Sequence, residues 1–356
     1  EESRPETVRP ATPSVHPLMP PSRAVHHALA SVFVMVGASA AHRVEAQWTL
    51  KSPMPTARNG LATAVEGDKI YAIGGVSPGF GIVNDVTEYD PTLDVWTPKA
   101  AMPTARWYLC AATAGGKVYA IGGAPGVTNV VEEYDPVANT WASVAPMPTP
   151  RMGAAAVELG GFIYVMGGWN GVFLSTVERY DPVLNRWTPR ASMPTARGYL
   201  AASVINGKIY AVGGGISTAM FNVVEEYDAG LNMWTTRTPM PTSRNGLASA
   251  SSGYRLYVVG GTTVTGTVAQ LDIYDANANS WLSGPSLSAA RFGLASSAVL
   301  GKIYAFGGND DVGTYYATTE ELQECVAQPF LGSTCLPSLS VLAATGLCYN
   351  AAMTPN

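Results

Sequence analysis

From residue 47 onward the apolar and polar positions fall into short runs that never reach helical length. A small apolar run at 61–65 (Leu-Ala-Thr-Ala-Val) meets the polar turn Glu66-Gly67-Asp68, and a second run at 70–73 (Ile-Tyr-Ala-Ile) stops at Gly74-Gly75. A third run ends at Tyr89-Asp90, a turn follows at 90–93, and a fourth run carries Trp96. Runs of this length bounded by Gly, Pro and Asp predict strands. Branched and aromatic side chains suit a pleated sheet, and the punctuating residues supply the turn dihedrals.

This four-strand unit recurs. Gly-Gly pairs begin at Gly74, Gly122, Gly167, Gly213, Gly260 and Gly307, spaced by 45 to 48 residues. The tyrosines ahead of them (Tyr71, Tyr119, Tyr164, Tyr210, Tyr257, Tyr304) each follow an arginine by 13 positions: Arg58, Arg106, Arg151, Arg197, Arg244, Arg291. Ten positions before each arginine stands a tryptophan: Trp48, Trp96, Trp141, Trp187, Trp234, Trp281. Variants of Pro-Met-Pro-Thr-Ala-Arg link tryptophan to arginine, and Tyr-Asp-Pro or similar ends the third strand. Six four-stranded units of this size predict an all-β, six-bladed propeller, in which each sheet is covered by its neighbours and closure protects the edges.

The pattern of Gly-Gly, Tyr-Asp and tryptophan resembles the kelch repeat, over residues 47–323. The resemblance implies a kelch-type β-propeller of antiparallel blades. For function it is permissive, since kelch propellers serve as scaffolds, glycan binders and enzymes. The sixth unit lacks a tryptophan after Leu322, whereas Trp48 precedes the first unit. The strand around Trp48 is therefore expected to close the ring as the outer strand of the last blade.

Features present in every unit read as scaffold. The arginines are expected to pair with acids two positions before the tyrosine slot (Glu132, Glu178, Glu225, Asp272, Glu320, with Thr87 in the first unit) or with strand carbonyls. The repeat tryptophans and methionines are expected between blades. Functional residues should instead break the pattern on one face. Alternating strand direction puts the loops after the arginines and after the Gly-Gly pairs at one end, the usual binding end of kelch propellers. The candidates there are Asn59, Trp107, Tyr108, Met152, Trp169, Asn170, Tyr199, Asn245, Phe292, Asn309 and Asp310. Trp107 and Trp169 stand outside the repeat register. An aromatic and amide mouth offers flat apolar faces beside neutral hydrogen-bonding groups, as sugar or peptide recognition requires.

Composition narrows the chemistry. Charged residues are only 13% of the chain and its net charge is −5, with no basic block to serve nucleic acid. All four histidines (His16, His26, His27, His42) lie ahead of the repeats, so residues 47–356 hold none for a triad or an imidazole metal site. No cofactor or metal is expected. Asn309-Asp310-Asp311 reads as a turn rather than a calcium loop.

Residues 1–46 read as a disordered extension followed by a signal peptide: Arg23, an apolar run at 28–41, and Val44-Glu45-Ala46, with cleavage expected after Ala46. Met19 would be a suitable start. The 14-residue run is too short for a stable membrane span, as is the broken apolar stretch at 336–347. The tail at 324–356 carries no repeat and is expected to be poorly ordered; its Cys325, Cys335 and Cys348 are disulfide candidates in an oxidising compartment. Cys110 occupies an alanine slot and reads as a buried thiol.

These features lead to a secreted or periplasmic, non-enzymatic binding propeller taking a glycan or extracellular polypeptide on its aromatic face. Two alternatives remain. Resemblance to the periplasmic sialic acid mutarotase would imply a metal-independent carbohydrate epimerase working through arginine and glutamate. The other is a structural cell-surface interaction module.

Overall fold

The computed structural model describes residues 46–323. They form six four-stranded antiparallel sheets, at 62–98, 110–143, 155–190, 201–236, 248–283 and 295–323, numbered here as blades 1 to 6. In blades 1, 4 and 5 the connection from second to third strand folds into a small two-stranded hairpin. The innermost strand of blade 1, Ala62–Glu66, starts one residue later than its apolar run, because Leu61 belongs to the loop that enters the sheet. Each innermost strand lies beside those of both neighbouring blades, and that of blade 6 returns to blade 1.

The ring closes from the N-terminal side, as expected. Trp48–Lys51 pairs antiparallel with Thr319–Gln323, in the register Trp48 opposite Leu322, and completes blade 6 as its outer strand. The core is six separate interfaces. Ala62, Ile73 and Val86 of blade 1 pack against Val118, Ala120 and Tyr134 of blade 2, and equivalent clusters recur around the ring. The last joins Phe306 and Tyr304 of blade 6 to Ile70 and Tyr89 of blade 1.

The Gly-Gly pairs exist because the next blade comes too close for a side chain. The amide of Gly75 donates to the carbonyl of Arg106 at 2.8 Å, and a Cβ on Gly74 would lie 2.5 Å from that oxygen. The same bond is made at every interface, ending with Gly308 donating to Arg58. Met54, Met102, Met147, Met193 and Met240 are buried between blades, with Leu287 in the sixth position. The repeat tryptophans are only half-buried. Each donates its indole N–H to a carbonyl just beyond the outer strand of the preceding blade, from Trp96 to Ser52 through to Trp48 to Pro285, both at 2.9 Å. Each also packs against the core cluster between its blade and the preceding one, so the tryptophans form the outer margin of the inter-blade core.

Candidate functional site

The two sets of loops do share one face. The residue after each arginine makes an isolated bridge with the residue after the Gly-Gly pair of its own blade. The pairs are Asn59 with Val76, Trp107 with Ala124, Met152 with Trp169, Gly198 with Gly215, Asn245 with Thr262, and Phe292 with Asn309. One residue further on, a second ring closes around the axis. Gly60, Tyr108, Gly153, Tyr199, Gly246 and Gly293 each donate an amide to the carbonyl of the one before, at 2.7–2.9 Å, Gly60 donating to Gly293. All six have φ between 47° and 61°. That left-handed backbone suits glycine and costs an L-residue about 1–2 kcal/mol. Tyrosine nevertheless fills it in blades 2 and 4. This break in the pattern was available in the sequence, at the second position after each arginine.

The two tyrosines meet over the axis. Their rings stand edge to face with centroids 5.1 Å apart, Tyr199 lying over Gly153 of the blade between them and Tyr108 over Gly60. Trp107 lies against Tyr108 at 4.5 Å. All three are half-buried. Burial, followed by the nearby phenols of Tyr199 and Tyr315, pushes the Tyr108 phenol well above its usual range, and burial raises that of Tyr199. Beneath them lies a cavity of about 110 Å³, lined by this ring and by the residues that follow it, such as Leu61 and Leu109. At roughly 30 Å³ per water it would hold a few waters.

The remaining candidates divide. Asn59 is buried; its amide donates to the Phe292 carbonyl at 3.1 Å and to the side chain of Asn309, tying blade 1 to blade 6. Asp310 accepts from its own loop, at the amides of Val312 and Thr314 and the hydroxyl of Tyr316. Asp311 is held by Thr267 of blade 5. Phe292 leans on Gly246. Trp169 bridges Met152 and Phe173 in blade 3 and stacks with none of the other described rings, so the two out-of-register tryptophans do not form one cluster. Asn170 is exposed, and Asn245 is half-buried with no side-chain hydrogen bond to the described residues. Sequence reasoning passed over Tyr315, which approaches Tyr108 from blade 6. It also passed over the exposed loop tips Val172, Val264 and Val312. Cys325, Cys335 and Cys348, with the leader and tail, lie outside the described residues.

The arginines are spent on the scaffold. Each is buried, and five face a carboxylate of their own blade: Glu132 at 2.6 Å, Glu178 at 2.7 Å, Glu225 and Asp272 at 2.5 Å, and Glu320 at 2.7 Å. Arg58 instead donates to Thr87 and to two backbone carbonyls. Among the described residues no cluster of His, Cys, Asp and Glu could hold a metal ion. Charge is also unevenly placed. Besides the buried arginines, the loops of the aromatic face carry Asp85, Asp310 and Asp311, and at their starts Lys99 and Arg237, paired with Glu88 and Glu226, whereas the turns at the opposite end carry acids and lysines such as Asp90, Lys69, Asp135 and Lys117.

A closed ring of six such blades, each stamped with the same arginine, Gly-Gly and tryptophan signature, defines a kelch-type propeller. Residues 39–214 match the KLHDC2/KLHL20/DRC7 Kelch-repeats domain, and residues 196–241 and 243–288 each match the Kelch motif. The chain belongs to the kelch-repeat β-propeller family. Among solved structures, the one titled "Structure of YjhT" is similar with a TM-score of 0.68 and 19% identity, over 75% of this chain and 95% of that one. At that identity the likeness is one of fold. No curated protein matches the chain significantly. Within this family the propeller supports a binding or interaction role. Among the described residues no helix is long and apolar enough to cross a membrane.

Proposed function

We propose that this protein is an exported binding propeller that recognises a glycan or an extracellular polypeptide on the face bearing Trp107, Tyr108 and Tyr199. One observation carries the reading. Two of six equivalent ring positions bear a tyrosine where the backbone favours glycine, and the two rings meet at the mouth. Half-exposed aromatics held at a backbone cost are better accounted for by a ligand than by the scaffold, which is complete in the other four blades without them. The arginines support binding over arginine-based sugar epimerisation, since their guanidiniums are all buried and bonded. Export rests on the leader, and N-terminal sequencing of secreted protein should find Gln47 first.

The test is a binding screen on the full chain, read by thermal shift and tryptophan fluorescence against mono- and oligosaccharides, including sialic acids, and a panel of extracellular polypeptides. A hit weakened by Trp107→Ala supports the reading, and Trp169→Ala reports whether the blade 3 loop takes part. Hits indifferent to both variants would move the site elsewhere.

A further inference from the structure

Within that reading of the aromatic face, on which this inference rests, we propose that the ligand is a neutral oligosaccharide lying across the mouth, with one sugar ring stacked on the Trp107–Tyr108–Tyr199 platform. Three properties of the face point to this class. The first is charge. The repeat arginines on these loops are buried, Lys99 and Arg237 at the loop starts are paired with Glu88 and Glu226, Asp85 faces the charge of Arg58, and the carboxylates of Asp310 and Asp311 are engaged by Tyr316 and Thr267. An anionic ligand would find no free cation, and a cationic one would have to displace these bonds.

The second is depth. The cavity of about 110 Å³ lined by the tyrosines is too small for a monosaccharide or a large apolar side chain. A ligand must lie on the mouth rather than enter it. The loops also lack an open strand edge there, since each residue after an arginine is already bridged within its own blade. A polypeptide would therefore gain neither strand pairing nor a side-chain pocket, the two usual sources of peptide affinity.

The third is the pairing of flat apolar faces with neutral hydrogen-bonding groups. A pyranose presents C–H groups on one face and hydroxyls around its edge. Trp107 and the two tyrosines brace one another, so little freedom is left to lose on stacking. The hydroxyls of Tyr108 and Tyr199 and the side-chain amides of Asn170 and Asn245 make no hydrogen bond to the described residues, and all four stand in the loops of this face.

The experiment titrates the full chain with neutral hexasaccharides (gluco-, xylo-, manno- and N-acetylglucosamine series), following tryptophan fluorescence. A hexagalacturonate and an uncharged proline-rich peptide serve as contrasts. The variants are Tyr108→Gly and Tyr199→Gly. Glycine is what four of the six ring positions already carry, so both should keep the wild-type fold by circular dichroism. At least one neutral hexasaccharide is expected to bind, and each variant should weaken it by about tenfold or more, a loss of one stacked ring. Binding of the hexagalacturonate alone, or sugar binding unchanged in both folded variants, overturns the proposal. If only the peptide binds, and is lost in the same variants, the aromatic face stands as a binding site and the sugar class falls. If no probe binds, the proposal falls, while the broader reading passes to the polypeptide screen above.

Discussion

The Nη2 of Arg58 donates to the hydroxyl of Thr87 at 2.7 Å, where each of the five equivalent arginines donates to a carboxylate. Burial pulls the Arg58 guanidinium down to about 10, opposed only by the charge of Asp85. A buried charge without its carboxylate partner is costly, and blade 1 packs against blade 6, the blade that the N-terminal strand completes. Thr87→Glu should supply the missing pair and also accept from Thr56, as Glu132 accepts from Thr104 in blade 2. The expected gain is about 1–3 kcal/mol, read as a rise in Tm of several degrees. An unchanged or lower Tm would mean that the site cannot hold the longer side chain.

Acid sensitivity should be concentrated at Glu226. Burial alone would raise this carboxyl, but hydrogen bonds from Arg237, Tyr210 and Lys208 outweigh it and hold it at about 2. The donors are close, Tyr210 at 2.6 Å and Arg237 through two nitrogens at 2.8 Å each. Its folded-state pKa lies below an unfolded value of about 4.3, so its stabilisation is complete above that pH and is lost as pH falls towards 2. Glu226→Gln should therefore be less stable than wild type at pH 7, by an amount on the order of 2–3 kcal/mol that shrinks as pH falls through about 4 to 2. Urea titrations at stepped pH read that difference directly.

Ring closure depends on a strand donated from the other end of the repeat region. Trp48→Ala removes the indole bond to Pro285 and the packing against Leu322, where the other blades stack their tryptophan on a tyrosine. The expected cost is about 2–4 kcal/mol, less than for a fully buried tryptophan because Trp48 is half-exposed. Trp141→Ala, in a blade whose strands are consecutive, should leave unfolding more cooperative than Trp48→Ala does. Equal transition widths would count against this account of closure.

Gly153 sits under the ring of Tyr199. A Cβ there would lie 3.0 Å from two carbons of the Tyr199 ring, at a φ of 61°. Gly153→Ala should destabilise by about 1–3 kcal/mol and displace Tyr199, while Gly153→Ala combined with Tyr199→Gly should recover the steric part and keep only the backbone cost. A double-mutant cycle in thermal denaturation measures that coupling.

The Cys110 thiol is buried, and that burial pushes it up to about 12 against the opposing charges of Arg151 and Arg106. Thiolate is then scarce at neutral pH, and the native chain should resist alkylation at this position until it unfolds. Mass spectrometry of the Cys110 peptide, after iodoacetamide with and without denaturant, reads this independently of the other cysteines.

The strands, their number, the arginine–acid pairs and the closing role of Trp48 were legible from the sequence. Each is set by a short spacing repeated six times, and a repeat gives every residue an address within its blade. The loop face was legible for the same reason, because alternating strand direction needs no coordinates. What the repeat does not encode is contact across the axis. Tyr108 and Tyr199 belong to non-adjacent blades and meet because Gly153 leaves room between them. Asn59 looked available at the mouth but is consumed by Asn309, 250 residues away. Trp169, in the slot after the Gly-Gly pair, bridges Met152 and Phe173 within its own blade and joins no other described ring. These choices follow from the curvature of the closed ring and from which neighbouring positions lack a side chain, so only the tertiary structure decided them.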